Sequence, residues 1–551
     1  MTDNEQDARA LIDRYWEDLL ELEPILGTEV GDERYDDRLP DPSEAGLAHR
    51  EAVQRQAIAD LAGIDRSSLD VSTRTTLDVL EAIALRDLDA IEYRFDRFSA
   101  PLHIWGPAGL IAELASRQRV DTPERRARYF RRLEALPAYL DEMGKVARDG
   151  MRVGQTVPEV VVDRTIAQTE RLVATDPADS PAIAPLGDVG QEEHDRFVGV
   201  ISDRVLPAYE RFLGVLRDYR PFATKTMGLW ALDRGEEMYA AQIRAWTTLS
   251  LSAKEIHRIG LEDLDRIQEE RRRAAERLGF HDPKAALAEH EASGDNRATS
   301  REEMVRLAEL QVERGWDAAP RFFGRLPAAN CEVRPVEEYR EADMPFAFYQ
   351  APTADNSRPG IYYVNTSDLG ERPLHHLATT TYHEANPGHH FQVAIEQQIE
   401  DRPPLRRFAG ILASSAFIEG WGLYSERLAD EMELFEDEYE RLGMLDAQAW
   451  RAARLVVDTG IHALGWDRDR AIVQLEEAGV PHLDAVIETD RYIGLPGQAL
   501  SYKLGQTEIE RWRQEAADRE GTAFSLKDFH DRLLALGSLP LPALDRELHG
   551  S

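Results

Sequence analysis

The chain has 551 residues, 42% hydrophobic and 30% charged, with a net charge of −36. That is enough for a large core in about two to four domains, and it disfavours any role that needs basic patches to hold nucleic-acid phosphates. The single cysteine, Cys331, excludes an intrachain disulfide and a thiolate zinc cluster. No run of about 18 apolar residues appears, so neither a transmembrane helix nor a membrane partner is expected.

The opening stretch "MTDNEQDARALIDRYWEDLL" is acidic and amphipathic. It lacks a basic start and an apolar centre, so no signal peptide is expected and the expected compartment is the cytoplasm. The positive charge is lopsided, with six lysines against sixty arginines. Acidic excess with few lysines fits a halophilic protein kept soluble in high salt. An ordinary acidic enzyme from a GC-rich genome is the other reading.

In chain order, "ARALIDRYWEDLLEL", "TRTTLDVLEAIALRDLDAIEYRF", "TPERRARYFRRLEALPAYLDEMGKVARDGM" and "EEHDRFVGVISDRVLPAYERFLGVLRDY" place apolar residues three and four apart, which predicts amphipathic helices. "SAKEIHRIGLEDLDRIQEERRRAAERLG" opens with a capping box at Ser252 and Glu255 and stops at Gly279. Three short runs between residues 330 and 365, "NCEVRPV", "PFAFYQAP" and "GIYYVN", have strand composition, and "TADNSRPG" supplies a turn between the last two. They predict a small antiparallel sheet. Helical patterns then resume to the end, so the expected fold is mainly α with one small sheet.

The segment after the sheet, "TTYHEANPGHHFQ", opens like a zinc-peptidase helix with His383 and Glu384. In such helices a second histidine four residues on shares the face of the first, and the glutamate takes a proton from a zinc-bound water. Here position 387 is proline. On a regular helix, His389 is rotated about 240° from His383, and His390 lies about 10.5 Å further along the axis. Ligand nitrogens sit only about 2.1 Å from a zinc ion, so neither works on a regular helix. Pro387 and Gly388 suggest a two-residue bulge that returns His389 to the ligand position. The alternative is a helix that ends at Pro387 and leaves His389 and His390 in a solvated loop.

Further on, "SSAFIEGWGLYSERLAD" carries Glu419 on a helical pattern among Phe417, Ile418 and Leu423. A buried carboxylate needs a cation, which a zinc ion would supply; the alternative is a pair with one of the many arginines. Glu426, seven residues on, shares the face and is placed to hold a ligand histidine from behind.

"HEANPGHHFQ", "EGWGLYSE", "VVDTGIHALGWDRDRAI" and "DRYIGLPGQALSYKLGQ", with "GDERYDDRLPD" and "GIYYVN", together resemble the domain-of-unknown-function 885 family over nearly the whole chain. That family resembles helical gluzincin zinc metallopeptidases of the thimet oligopeptidase and carboxypeptidase Taq kind. The resemblance implies one unit over 1–551, built as a helical lobe over 1–260 and a catalytic lobe over 261–551 around a cleft. It implies one zinc held by His383, His389 and Glu419, with Glu384 as general base and a tyrosine donor in a carboxy-terminal segment.

Two residues are candidates to stabilise the oxyanion, His462 and Tyr502, with Asp458 one helical turn from His462 as its partner. "GIYYVN" is a candidate strand edge for an extended peptide, through Tyr362, Tyr363 and Asn365. Arg491, Tyr492, Gln498 and Lys503 are candidate substrate contacts, a cation there holding a peptide carboxylate. The expectation is a zinc peptidase, monomeric or homodimeric, acting on short peptides. The rivals are a zinc hydrolase of another amide or ester, and a helical scaffold with a structural or vacant metal site.

Overall fold

The computed structural model describes residues 2–337, 341, 344–352, 359–399 and 402–550. Contacts group the chain into two compact units. The first holds Met1–Ala241 with Ile461–Arg468 and Glu488–Pro496; the second holds Gln242–Gly460, Asp469–Ile487 and Gly497–Ser551. The division falls at 241 rather than 260, and two late segments belong with the first unit.

The first unit is helical. Its principal helices are α1 (Asp3–Leu22), α2 (Val71–Glu92), α3 (Pro123–Val153) and α4 (Leu206–Tyr219). The side chains of Thr2, Asp70 and Thr122 cap the first three by accepting a backbone N–H of the first turn. Each helix buries one stripe: Leu11, Tyr15, Leu19 and Leu22 on α1, and Tyr209, Phe212 and Leu216 on α4. Full burial of each such side chain contributes about 1.5–3 kcal/mol.

The second unit begins with α5 (Ala253–Arg277), where the capping box of Ser252 and Glu255 forms as the sequence predicts. Helix α6 (Arg301–Ala318) packs on a three-stranded sheet of β1 (Cys331–Pro335), β2 (Ala347–Gln350) and β3 (Gly360–Val364). The strand order is β1-β3-β2, with β1 parallel and β2 antiparallel to β3. The sheet is therefore mixed, not antiparallel. Composition marks strands but carries no sign of their relative direction. All five residues of β3 are buried, which fits an unbroken apolar run in a central strand. The turn residues 353–358 lie outside the described residues.

Five more helices complete the site: α7 (Leu377–Glu384), α8 (His389–Gln397), α9 (Ser415–Glu431), α10 (Glu438–Ala463) and α11 (Ser501–Glu520). Helices α9 and α11 cross at two glycines. A β-carbon on Gly420 would lie 2.4 Å from the Gly505 carbonyl carbon, and one on Gly505 would lie 1.8 Å from the Ala416 oxygen. Among the described residues, no helix is long and apolar enough to cross a membrane.

Candidate functional site

The two histidines of the motif meet across a break between helices. Helix α7 ends at Glu384, and α8 starts afresh at His389. The structure thus replaces the expected bulge with a full interruption, because Pro387 has no N–H to continue the ladder. Gly388 is needed for close approach. Its φ is −79°, and a β-carbon there would lie 1.9 Å from the His383 carbonyl oxygen. Trp421 on α9 pins the break, donating its indole N–H towards the carbonyls of Pro387 (3.0 Å) and Gly388 (3.2 Å). The result sets the rings of His383 and His389 4.7 Å apart, edge to face.

Helix α9 closes the site. One carboxylate oxygen of Glu419 lies 3.7 Å from His383 Nε2 and 3.6 Å from His389 Nε2. These separations are too long for good hydrogen bonds. Two atoms that share a tetrahedral zinc at about 2.1 Å lie about 3.4 Å from each other, so the spacing fits a common ion. Glu384 offers a carboxylate oxygen within 4.8 Å of ligand nitrogens on both histidines. Behind His383, its Nδ1 lies 2.8 Å from Glu426 Oε1. That contact fixes the ring with Nε2 facing Glu419. Gly422 leaves room for the ring; a β-carbon there would lie 2.7 Å from His383 Nε2.

The electrostatics suit a cation. Burial alone would push the His383 pKa down, but the carboxylates of Glu419 and Glu426 outweigh it and hold the ring at about 9. Burial pushes Glu419 up, and the two histidines override that and lower it. Burial raises Glu384, in the direction a general base at neutral pH requires.

A buried polar chain extends behind Glu426. Gln448 on α10 donates to Glu426 Oε2 at 3.3 Å. The Gln448 oxygen accepts from Lys503 Nζ at 3.1 Å and from Gln506 at 3.0 Å. Lys503 Nζ lies 2.6 Å from Asp263 Oδ2 on α5. Lys503 is therefore an internal ion-pair partner and not a substrate cation, and burial lowers its pKa.

The other expected residues separate clearly. Tyr502 reaches the site, its ring stacked 6.5 Å from that of His383. His390 does not: Nδ1 meets the Tyr349 hydroxyl of β2 at 3.0 Å and Nε2 meets the Ala329 carbonyl at 3.0 Å, so it ties α8 to the sheet. His462 is buried in the first unit. Its Nδ1 accepts from Leu229 N–H at 3.4 Å and its Nε2 donates to the Tyr492 carbonyl at 2.9 Å. Both nitrogens are committed to backbone, which removes it as an oxyanion donor and as the partner of Asp458. Asp458 instead accepts the Gly497 N–H at 3.1 and 3.2 Å.

The substrate expectations on β3 are corrected too, because that strand is paired on both sides. Tyr362 is a core residue whose hydroxyl accepts from Thr381 at 3.2 Å. Tyr363 stacks on Phe348 at 4.8 Å. Asn365 staples a loop, its amide donating to the Glu341, Met344 and Pro345 carbonyls. Arg491 and Tyr492 both bond Glu488, and Gln498 is buried in a short turn.

Sequence reasoning missed Trp421, Gly422 and Gln448. The quoted "EGWG" held the signal for the first two, since glycines flanking a tryptophan mark close approach around a bulky ring. A second group, His375, His376 and Asp446, also brings ligand atoms within 4.8 Å. Asp446 is paired with Arg271 at 2.6 Å. The charges of Arg271, Arg297 and Arg451 bear on the two histidines. That positive surround opposes a cation.

The fold has structural counterparts. A "putative lipoprotein" from Colwellia psychrerythraea shares the fold with a TM-score of 0.91 at 25% identity, covering 100% of this chain and 99% of that one. A "putative lipoprotein of unknown function" from Shewanella oneidensis aligns with a TM-score of 0.76 at 20% identity over 100% of both chains. No curated protein matches. The model of the bacterial proteins of unknown function called DUF885 matches residues 24–548, and the chain belongs to that family.

Proposed function

We propose that this protein is a zinc-dependent hydrolase that cleaves peptides. The observation that carries the reading is a single Glu419 oxygen lying 3.6 and 3.7 Å from the Nε2 atoms of His389 and His383, with the Glu384 carboxylate beside them. A structural site needs no such base.

His383, His389 and Glu419 would hold the ion. Zinc bound there would supply Lewis acidity, acidifying a water and polarising a carbonyl. Glu384 would accept the proton of the attacking water and later deliver it to the leaving amine. Glu426 would keep His383 in the tautomer with a proton on Nδ1. Tyr502 would donate to the developing oxyanion. The sheet has two edge strands, β1 and β2, and β2 is the one packed on α7 and α8, the helices that carry His383 and His389. Through Tyr349 and His390 this strand is tied to the helix that carries His389, and it would align an extended peptide by backbone pairing.

The test is a peptide-library digest by the zinc-loaded protein with Glu384→Gln as control. Cleavage that disappears in the variant while zinc is retained supports the reading. Equal cleavage by the variant rejects it.

A further inference from the structure

We infer that Arg451 anchors a substrate carboxylate, so that the peptides hydrolysed at this site are ones with a free carboxyl end. The inference deepens the hydrolase reading above and rests on it.

The starting point is charge pairing. With 102 acidic residues against 66 basic ones, arginines in this chain readily find carboxylates. Around the site, Lys503 has Asp263, Arg271 has Asp446, and Arg513 has Glu431. Arg451 has no carboxylate partner among the described residues. Its guanidinium makes one long bond to the Ala447 carbonyl of its own helix, at 3.4 Å, and lies 5.2 Å from the Trp450 ring centre. Its Nε is buried without a hydrogen-bond partner. A half-buried cation left in this state in so acidic a protein is held for an anion from outside.

Its position says which anion. Arg451 lies on α10, one turn beyond Gln448, which holds Glu426. It lies one turn before Arg454, whose guanidinium sits 4.5 Å from the Tyr502 ring centre. Tyr502 in turn stacks over the ligand His383. Helix α10 therefore lines the site through this stretch. The charge of Arg451 also bears on Glu384 and lowers it against the effect of burial. A guanidinium is a planar fork that matches a carboxylate with two parallel bonds. The sequence offered Lys503 and Arg491 for this task, but both have protein carboxylates of their own. The carboxylate comes either from the peptide terminus or from an acidic side chain, and the terminus is the source proposed.

Binding can be read apart from catalysis. The zinc-loaded Glu384→Gln protein is titrated calorimetrically with three N-acetylated alanine pentapeptides: a free acid, its carboxy-terminal amide, and the amide with one internal glutamate. The free acid should bind about 10- to 100-fold more tightly than the plain amide. Adding Arg451→Gln should abolish that preference, and Arg451→Lys should keep part of it, which separates lost recognition from misfolding. Equal affinity for acid and amide, no binding by any peptide, or a preference unchanged by Arg451→Gln overturns the inference. Tighter binding of the glutamate amide than of the free acid overturns the choice of the terminus. Failure of the wild type to cleave peptides would reject the hydrolase reading and leave this binding result readable.

Discussion

His383 and His462 invite direct comparison. Both are buried, at 4% and 1% exposure, and both sit in motifs that the sequence marks for chemistry. Their surroundings are opposite. Carboxylates flank His383 and outweigh its burial, holding it at about 9. Backbone flanks His462, and burial pushes it down to about 4. One ring presents a nitrogen towards a second histidine and a carboxylate. The other uses both nitrogens to join Leu229 and Tyr492. The difference teaches that the negative charge placed beside a histidine, more than its burial, sets which way its pKa moves.

The sharpest way to break the comparison is catalysis. Glu384→Gln should lower hydrolysis by about 10²- to 10⁴-fold with zinc retained, whereas His462→Gln should leave kcat/KM within a few-fold. Steady-state kinetics with metal analysis checks both, and a catalytic loss at His462 would collapse the distinction.

Next comes pH, measured by urea unfolding of the chelator-treated protein. His462 has a folded pKa depressed to about 4. The unfolded state binds its proton first, so its contribution is present above about pH 6.5 and lost as pH falls towards 4, at most about 3 kcal/mol. His383 has a folded pKa raised to about 9. Its contribution is present below about pH 6.5 and lost as pH rises through 9. His462→Gln should flatten the acid side and His383→Gln the alkaline side. Swapped effects would refute the assigned surroundings.

Smaller effects sharpen the picture. Glu426→Gln should weaken zinc binding by about 10- to 100-fold, read by competition with a chelating dye. An unchanged affinity would leave the Glu426 contact without a role in tuning the metal. Trp421→Phe should cost about 1 kcal/mol of stability, since it removes the N–H that holds the Pro387–Gly388 break.

Much of this was readable in the sequence, and the residues show why. Helices followed from apolar spacing, and the cap at Ser252 followed from local chemistry. His383, Glu419 and Glu426 stood out because charged groups inside apolar patterns need partners. The helix break was misjudged as a bulge. Pro387 reports that the ladder is interrupted, but the contacts that decide how the chain resumes come from far off in sequence: from Trp421, and from Gly315 on α6, where an added β-carbon would run into the Asn386 carbonyl oxygen. Lys503 and Asn365 looked available because their partners, Asp263 and three loop carbonyls, are unrelated to their sequence neighbours. Strand direction in the sheet left no local mark. Membership of the two late segments in the first unit left none either.

The central claim is that His389, and not its neighbour His390, joins His383 and Glu419 on one ion. Zinc content per chain, measured by mass spectrometry on wild type, His389→Ala and His390→Ala after zinc loading and desalting, tests it most directly. The geometry predicts about one zinc in wild type and in His390→Ala, and almost none in His389→Ala. Full zinc in His389→Ala with loss in His390→Ala, or a wild type that binds none, would contradict it.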